Sequence, residues 1–283
     1  MFRTHYSKSD FSENDLPNTR KKQFPDIFKN EWRTLLLSGL WILIFSLPVL
    51  GLYVFGYIYR YSLGTMEDSQ NAIRLFNMVY YAAMVLCYAI LCVGVSGISM
   101  IMKNLVYGRG ILYRSDFLLG IKQNYGQLVL IFIFYGLLDL LYGFLANYIF
   151  YQGDTMSVIG LGIYKGIFVF IIIPILLFSM SQSTTYKMNL FITLKNGFVF
   201  YFKSLGWCLL FALLFLIPLG ISFIPNIIIR VVILVPVLLL ICPIYWLIWR
   251  LFAVSKFDII INKENYPEIY RLGLRKQEEQ QCK

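Results

Sequence analysis

Asp139 and Lys165 are the two residues whose type and placement could do chemistry in this chain. Both stand inside long apolar runs, GLLDLLYG and GLGIYKGIF. An ionisable group at mid-membrane depth costs at least about 2.5 to 3.5 kcal/mol on insertion scales, so it faces protein or water rather than lipid. If the two runs are consecutive helices, Asp139 lies 11 residues before Phe150 and Lys165 lies 7 after Val158. Those offsets correspond to depths of about 16 and 10 Å at about 1.5 Å per residue. A lysine side chain spans the difference, which makes the two a candidate intramembrane polar pair. It could line a solute path. Equally, it could be a structural ion pair, or Lys165 could snorkel to the interface while Asp139 stays protonated.

No other residues form a reactive set. The single histidine, His5, stands in a charged N-terminal stretch, and Cys87, Cys92, Cys208 and Cys242 fall in apolar segments, with Cys282 in a polar tail. There is no CxxC, no Cys/His cluster with metal-ligand spacing and no HExxH. Catalysis inside a membrane needs two aspartates, a serine with His or Lys, or a metal motif, and Asp139 has no such companion. The chain is therefore expected not to be an enzyme and to use no cofactor or metal.

The solvent for such a chain is lipid. A hydrophobic fraction of 59% against 14% charged residues, with a mean hydropathy of +0.68, leaves too little polar surface to coat a soluble globule. Backbone groups must be satisfied internally in hydrocarbon, and continuous rather than alternating apolar runs select helices over a barrel. The fold class expected is all-α: a polytopic membrane protein with about six transmembrane helices. A net charge of +10 is spread over the ends of apolar segments, so it points to orientation in a membrane and not to nucleic acid.

The spans are expected at about 34–59, 78–102, 126–150, 158–180, 204–225 and 231–252, each near the length of about 20 residues that a crossing needs. Residues 1–23 are charged, lack apolar periodicity and are read as a disordered tail, and 253–283 as a second tail. With these boundaries, and with Arg250 near the end of the last span counted with the C-terminal end, 21 Lys and Arg fall on one side and 3 on the other, Lys165 being inside a span. The positive-inside rule then places both termini in the cytoplasm of a multi-pass plasma-membrane protein. Pro48, Pro174, Pro218, Pro236 and Pro243 interrupt spans and are expected to kink them or open carbonyls. Gly94, Gly97 and Ser99 make a strip that permits close helix approach.

Stretches before the odd-numbered spans resemble one another. Phe24, Phe28 and Trp32 recur beside Lys29 and Asn30; Phe117, Leu118, Ile121 and Tyr125 beside Lys122 and Gln123; Phe191, Leu194, Phe198 and Tyr201 beside Lys195 and Asn196. Each reads as a short cytoplasmic amphipathic helix with a Lys-amide pair, lying in the interface before spans 1, 3 and 5. Lys29, Asn30, Lys122, Gln123, Lys195 and Asn196 are thus a candidate cytoplasmic interface. FSLPVLG (45–51) and FLIPLG (215–220) add a similarity between the first and third units, and internal repeats are frequent in transport proteins.

Four elements in order, SLPVLGLY, GISMIMKNLVYGRGILYRSDFLLGIKQNYGQ, TLKNGFVFYFKSLGW and FDIIINKENYPEIYRLGL, resemble the YesL-like membrane proteins, domain-of-unknown-function family 624, found mainly in Gram-positive bacteria. The resemblance covers about Phe24 to Leu274. The long charged N-terminal extension and the scarcity of glycine and alanine at the start of span two depart from it. It implies a six-span protein encoded beside sugar-binding proteins and permeases of carbohydrate ABC uptake systems, with an accessory role in that uptake or its regulation. No catalytic residues follow from it. The function expected is a non-enzymatic accessory membrane protein touching ABC-type sugar permease subunits. The alternative is a small solute transporter or channel with a polar cavity near Asp139.

Overall fold

The structure, a computed structural model, describes residues 16–64, 69–152, 155–214, 220–221 and 224–275. His5, Cys282, Pro218 and most of the FLIPLG motif lie outside the described residues. No strand occurs among those described, and five helices are long and apolar enough to cross a membrane, six if one bent pair counts as a span. The all-α polytopic class follows.

A short helix α1 (Arg20–Asn30) is followed by α2 (Trp32–Leu63), α3 (Ser69–Val106) and α4 (Tyr113–Gln152). The fourth apolar helix is built from α5 (Thr155–Ile167), a wide π turn (Phe168–Ile172) and α6 (Ile173–Ser183). Next come α7 (Leu190–Lys203) and α8 (Leu205–Leu214), bent by 99° at Ser204. The last apolar helix comprises α9 (Ile227–Pro236), a π turn (Val237–Ile241), α10 (Cys242–Phe257) and further helical turns to Asn265.

Proline accounts for two of the π turns. Pro174 and Pro243 have no N–H, and their rings clash with the carbonyls four residues back, those of Phe170 and Leu239. The helix widens instead of breaking: Ile173 N–H reaches the carbonyl of Phe168, and Cys242 N–H that of Val237, each five residues back. Both π turns end just before an X-Pro pair, which is why these spans widen without ending.

The number of crossings follows from contacts at the two ends. Arg20 of α1 meets Asp258 at 2.9 Å, and Arg275 N–H donates to the Pro17 carbonyl at 3.2 Å. Both described termini therefore share one end of the bundle, here called the base, and the number of crossings is even. The start of α8 is at the base, where Lys21 lies over the Trp207 ring at 5.4 Å. The chain reaches the far end by Pro225, whose carbonyl accepts from Tyr57 Oη at 2.9 Å, and Arg230 Nη1 donates to Tyr53 Oη at 3.0 Å. The chain thus passes from the base at Leu205 to the far end at Pro225, which beside the five long apolar helices corresponds to the upper figure of six.

Small residues set the closest helix approaches. A Cβ on Gly94 would sit 2.5 Å from the Phe45 ring, and one on Gly97 2.4 Å from the Phe117 ring. Trp41 stacks on Phe117 at 4.9 Å, so α2, α3 and α4 interlock through an aromatic wedge seated on the strip that includes Gly94 and Gly97. Leu47, Phe55, Leu137, Leu210 and Val232 stand exposed on the outside, which is the pattern of side chains solvated by hydrocarbon.

Three boundaries differ from the expectation. The tail read as disordered through residue 23 is helical from Arg20, and Arg20 and Gln23 are buried. The second amphipathic stretch is not a separate helix: Tyr113 to Gln152 is continuous, whereas Glu31 and Ser204 adopt non-helical backbone that separates the first and third. The last helix runs past residue 252 to Asn265, because hydropathy marks the hydrocarbon boundary while helical hydrogen bonding continues until a breaker, here Pro267.

Candidate functional site

The mid-span pair does not form. Asp139 Oδ2 accepts a hydrogen bond from Tyr88 Oη at 3.0 Å, while the Lys165 ammonium lies 4.5 Å from the Tyr142 ring centroid and 5.5 Å from that of Phe168. Among the described residues the ion pair is Arg20–Asp258, not Asp139–Lys165. The reason is aromatic. Tyr142 and Tyr164 stack at 5.8 Å, Tyr164 donates to the Leu138 carbonyl at 2.7 Å, and Tyr135 packs on Tyr88 at 5.1 Å and on Phe168 at 5.2 Å. This ladder fills the space between α3, α4 and α5, leaving a hydroxyl for the carboxylate and a ring face for the ammonium. Nearer the far end, Asn77, Tyr81, Gly143 and Asn147 line a crevice with no room for a water. There Arg60 Nε donates to Asn77 Oδ1 at 2.8 Å, and Asn77 Nδ2 to Asn147 Oδ1 at 3.2 Å.

The Lys-amide residues lie on the base helices. Lys29, Asn30, Lys122, Gln123 and Lys195 are exposed and Asn196 is half-buried. Two residues before each lysine stands a buried one, Ile27, Gly120 and Thr193, so the three stretches turn the same face inward. Exposed apolar neighbours flank each lysine: Phe28 and Trp32, Leu118 and Leu119, and Phe191, Phe198 and Phe202. Asn30 Nδ2 bonds to Asp26 Oδ1 one turn back at 2.9 Å, and Asn196 Nδ2 meets Met188 Sδ at 3.7 Å.

A buried polar node that the sequence reading missed holds α1 to the end of α3 and to the last helix. Arg20 Nη1 donates to the Val106 carbonyl at 3.0 Å and the Leu272 carbonyl at 2.9 Å, and Gln23 Nε2 also donates to Val106 at 2.7 Å. Val106 ends α3, so these two side chains satisfy a carbonyl the helix terminus leaves open. Asp258 Oδ1 accepts from Asn262 Nδ2 at 2.7 Å, and Asn262 Oδ1 in turn accepts from Tyr186 Oη. Arg250, 2% exposed, donates to the Ser181 carbonyl in the last turn of α6 and to Thr185 Oγ1. Burial pushes the Tyr186 hydroxyl well up, Tyr107 and Asp258 adding to the shift and Arg250 opposing it. Burial also raises the Tyr107 hydroxyl, against Arg250 and Arg20 and with Asp258. Two glycines permit the closure: Gly108 at φ +62° and Gly273 at φ +83°, where a Cβ would lie 2.7 Å from the Val106 carbonyl oxygen. One signal for this node was legible: Asp258 is an acid shortly after an apolar span, eight residues beyond the arginine at the end of that span.

These features define a helical bundle of the membrane class, with apolar outer faces that fit a lipid bilayer and a polar node at one end. Among protein-family models, curated proteins and solved structures, none matches this chain.

Proposed function

We propose that this chain is a non-enzymatic membrane scaffold, an accessory component of a bacterial carbohydrate ABC uptake system. It would sit in the plasma membrane with its base in the cytoplasm and offer the base helices to a permease subunit. The observation that carries the reading is the exposure of Lys29, Lys122 and Lys195 beside exposed Phe28, Leu118 and Phe198 on the base helices, the first of which is fastened by a buried ion pair. Rigid amphipathic helices of this kind suit a groove or a charged rim on a partner. The excess of 21 basic residues on the base side over 3 on the other supports a cytoplasmic base. The carbohydrate assignment rests on the resemblance to the YesL-like proteins.

Co-purification from native membranes tests it. The wild-type chain is expected to bring down a permease subunit, and the triple variant Lys29→Glu, Lys122→Glu, Lys195→Glu to lose it while keeping its helical content. Recovery of the wild-type chain alone overturns the reading.

A solute path near Asp139 is the second reading, favoured by a mid-span carboxylate whose partner is a hydroxyl and not a cation. Asp139→Asn would then abolish flux in reconstituted vesicles. Absence of flux through the wild-type chain rejects it.

A further inference from the structure

Where α1 turns into α2, an apolar groove of about 230 Å³ opens between that junction and the last apolar helix, lined by Phe28, Trp32, Leu35, Leu36, Leu239, Leu240, Pro243 and Ile244. A close backbone approach adjoins it at Leu239. Gly39 approaches the π turn so closely that a Cβ there would lie 1.8 Å from the Leu239 carbonyl oxygen. Because that turn is widened by Pro243, the groove is set by the covalent sequence and is present before anything enters it. Its volume is below the roughly 300–1,000 Å³ of a site that encloses a whole small molecule, but it accepts a run of methylenes. The rim is cationic: the Arg33 guanidinium lies over the Trp32 ring at 5.6 Å, and Lys29 is exposed on the turn before. The acid at this junction, Glu31, accepts a hydrogen bond from Thr34 Oγ1 at 2.7 Å.

We propose that this groove holds one acyl chain of an anionic phospholipid, whose phosphate is bound at the rim by Arg33 with Lys29. Apolar lining selects a chain, and the charge above it selects the headgroup. Arg33 supplies a planar donor set that suits phosphate better than a point charge does. Trp32 between the two is the kind of side chain that settles at headgroup depth. The site shares Phe28 and Lys29 with the surface proposed for a permease, but it forms without that partner and serves to anchor the α1–α2 junction against the last helix.

The test uses the full chain in detergent, incubated with equal amounts of phosphatidylglycerol and phosphatidylcholine, with bound lipid counted by native mass spectrometry. Phosphatidylglycerol is expected to be retained over phosphatidylcholine by about fivefold for each basic residue engaged. Arg33→Gln is expected to bring the ratio towards one. Leu240→Trp, at an exposed position that leaves both charges in place, is expected to reduce retention of both lipids. A wild-type ratio near one overturns the proposal, as does a preference undiminished in Arg33→Gln or a retention of both lipids undiminished in Leu240→Trp.

Discussion

Arg20 and Asp258 are 238 residues apart in the chain and 2.9 Å apart in space, and both are buried. This contact ties the first helix to the end of the last one, and it is the reason both described termini lie at the base. Removing one partner leaves an uncompensated buried charge, which costs about 3–5 kcal/mol. Arg20→Ala is expected to lower the unfolding midpoint in detergent accordingly. The double variant Arg20→Met, Asp258→Leu should recover part of the loss, because no buried charge is then left unpaired, Gln23 still caps Val106, and what stays broken are neutral partners such as the Leu272 carbonyl and Asn262 Nδ2. Equal midpoints for the wild-type chain and Arg20→Ala would show that the pair holds nothing.

The loop closure depends on Gly273. Alanine there must adopt φ +83° and place its Cβ 2.7 Å from the Val106 carbonyl oxygen, so a loss of about 1–3 kcal/mol is expected. Gly110→Ala is the control, since nothing lies within 4 Å of a Cβ at that position. Thermal melts of the two variants should separate clearly.

Gly39 gives a sharper contrast within a span. A methyl group 1.8 Å from the Leu239 oxygen cannot be accommodated by rotating a side chain, because the atom it meets is backbone. Gly39→Ala is expected to cost about 1–3 kcal/mol or more, and to loosen the groove beneath Trp32. Gly51→Ala, with open space around its Cβ, should be close to neutral in the same unfolding assay.

Asp139 and Lys165 should behave as independent sites. Tyr88→Phe removes a hydrogen bond to a carboxylate, worth about 1.5–3 kcal/mol, whereas Lys165→Met removes a cation–ring contact of about 0.5–2 kcal/mol. In a double-mutant cycle of Asp139→Asn with Lys165→Met, the coupling is expected within about 0.5 kcal/mol of zero. A coupling above about 1 kcal/mol would restore the ion pair as the arrangement in the membrane.

Tyr186 sets an alkaline limit on stability. Its hydroxyl titrates higher in the folded chain than in the unfolded one, chiefly through burial. Above the ordinary tyrosine value of about 10, the unfolded state loses that proton while the folded state keeps it, so stability falls as pH rises. Below that value the contribution is complete and flat. Unfolding midpoints recorded from neutral to alkaline pH are expected to drop above about pH 10, with part of the slope lost in Tyr186→Phe. A slope identical in the variant would assign the fall to other groups.

The helical class, the membrane setting and the spans that match the five long apolar helices were legible in the sequence because each rests on local quantities: apolar run length and backbone satisfaction. Gly94 and Gly97 were legible for the same reason, as small residues on one helix face. Asp139 and Lys165 could be placed by depth along their helices but not by rotation about them. That rotation, and the aromatic ladder of Tyr88, Tyr142 and Tyr164 in the intervening space, gave each charge a different partner. The continuity of α4 from Tyr113 was hidden because an amphipathic stretch and an apolar span look like two elements, although no residue between them breaks the helix.

The sequence by itself determined that this chain belongs in lipid and where proline would interrupt a span, since each follows from composition or from residues adjacent in the chain. Only the tertiary structure decided that Arg20, Gln23, Val106, Tyr186 and Asp258 meet. Their separations run to hundreds of residues, and a buried polar node is set by which helix ends share the base, information that no local pattern carries.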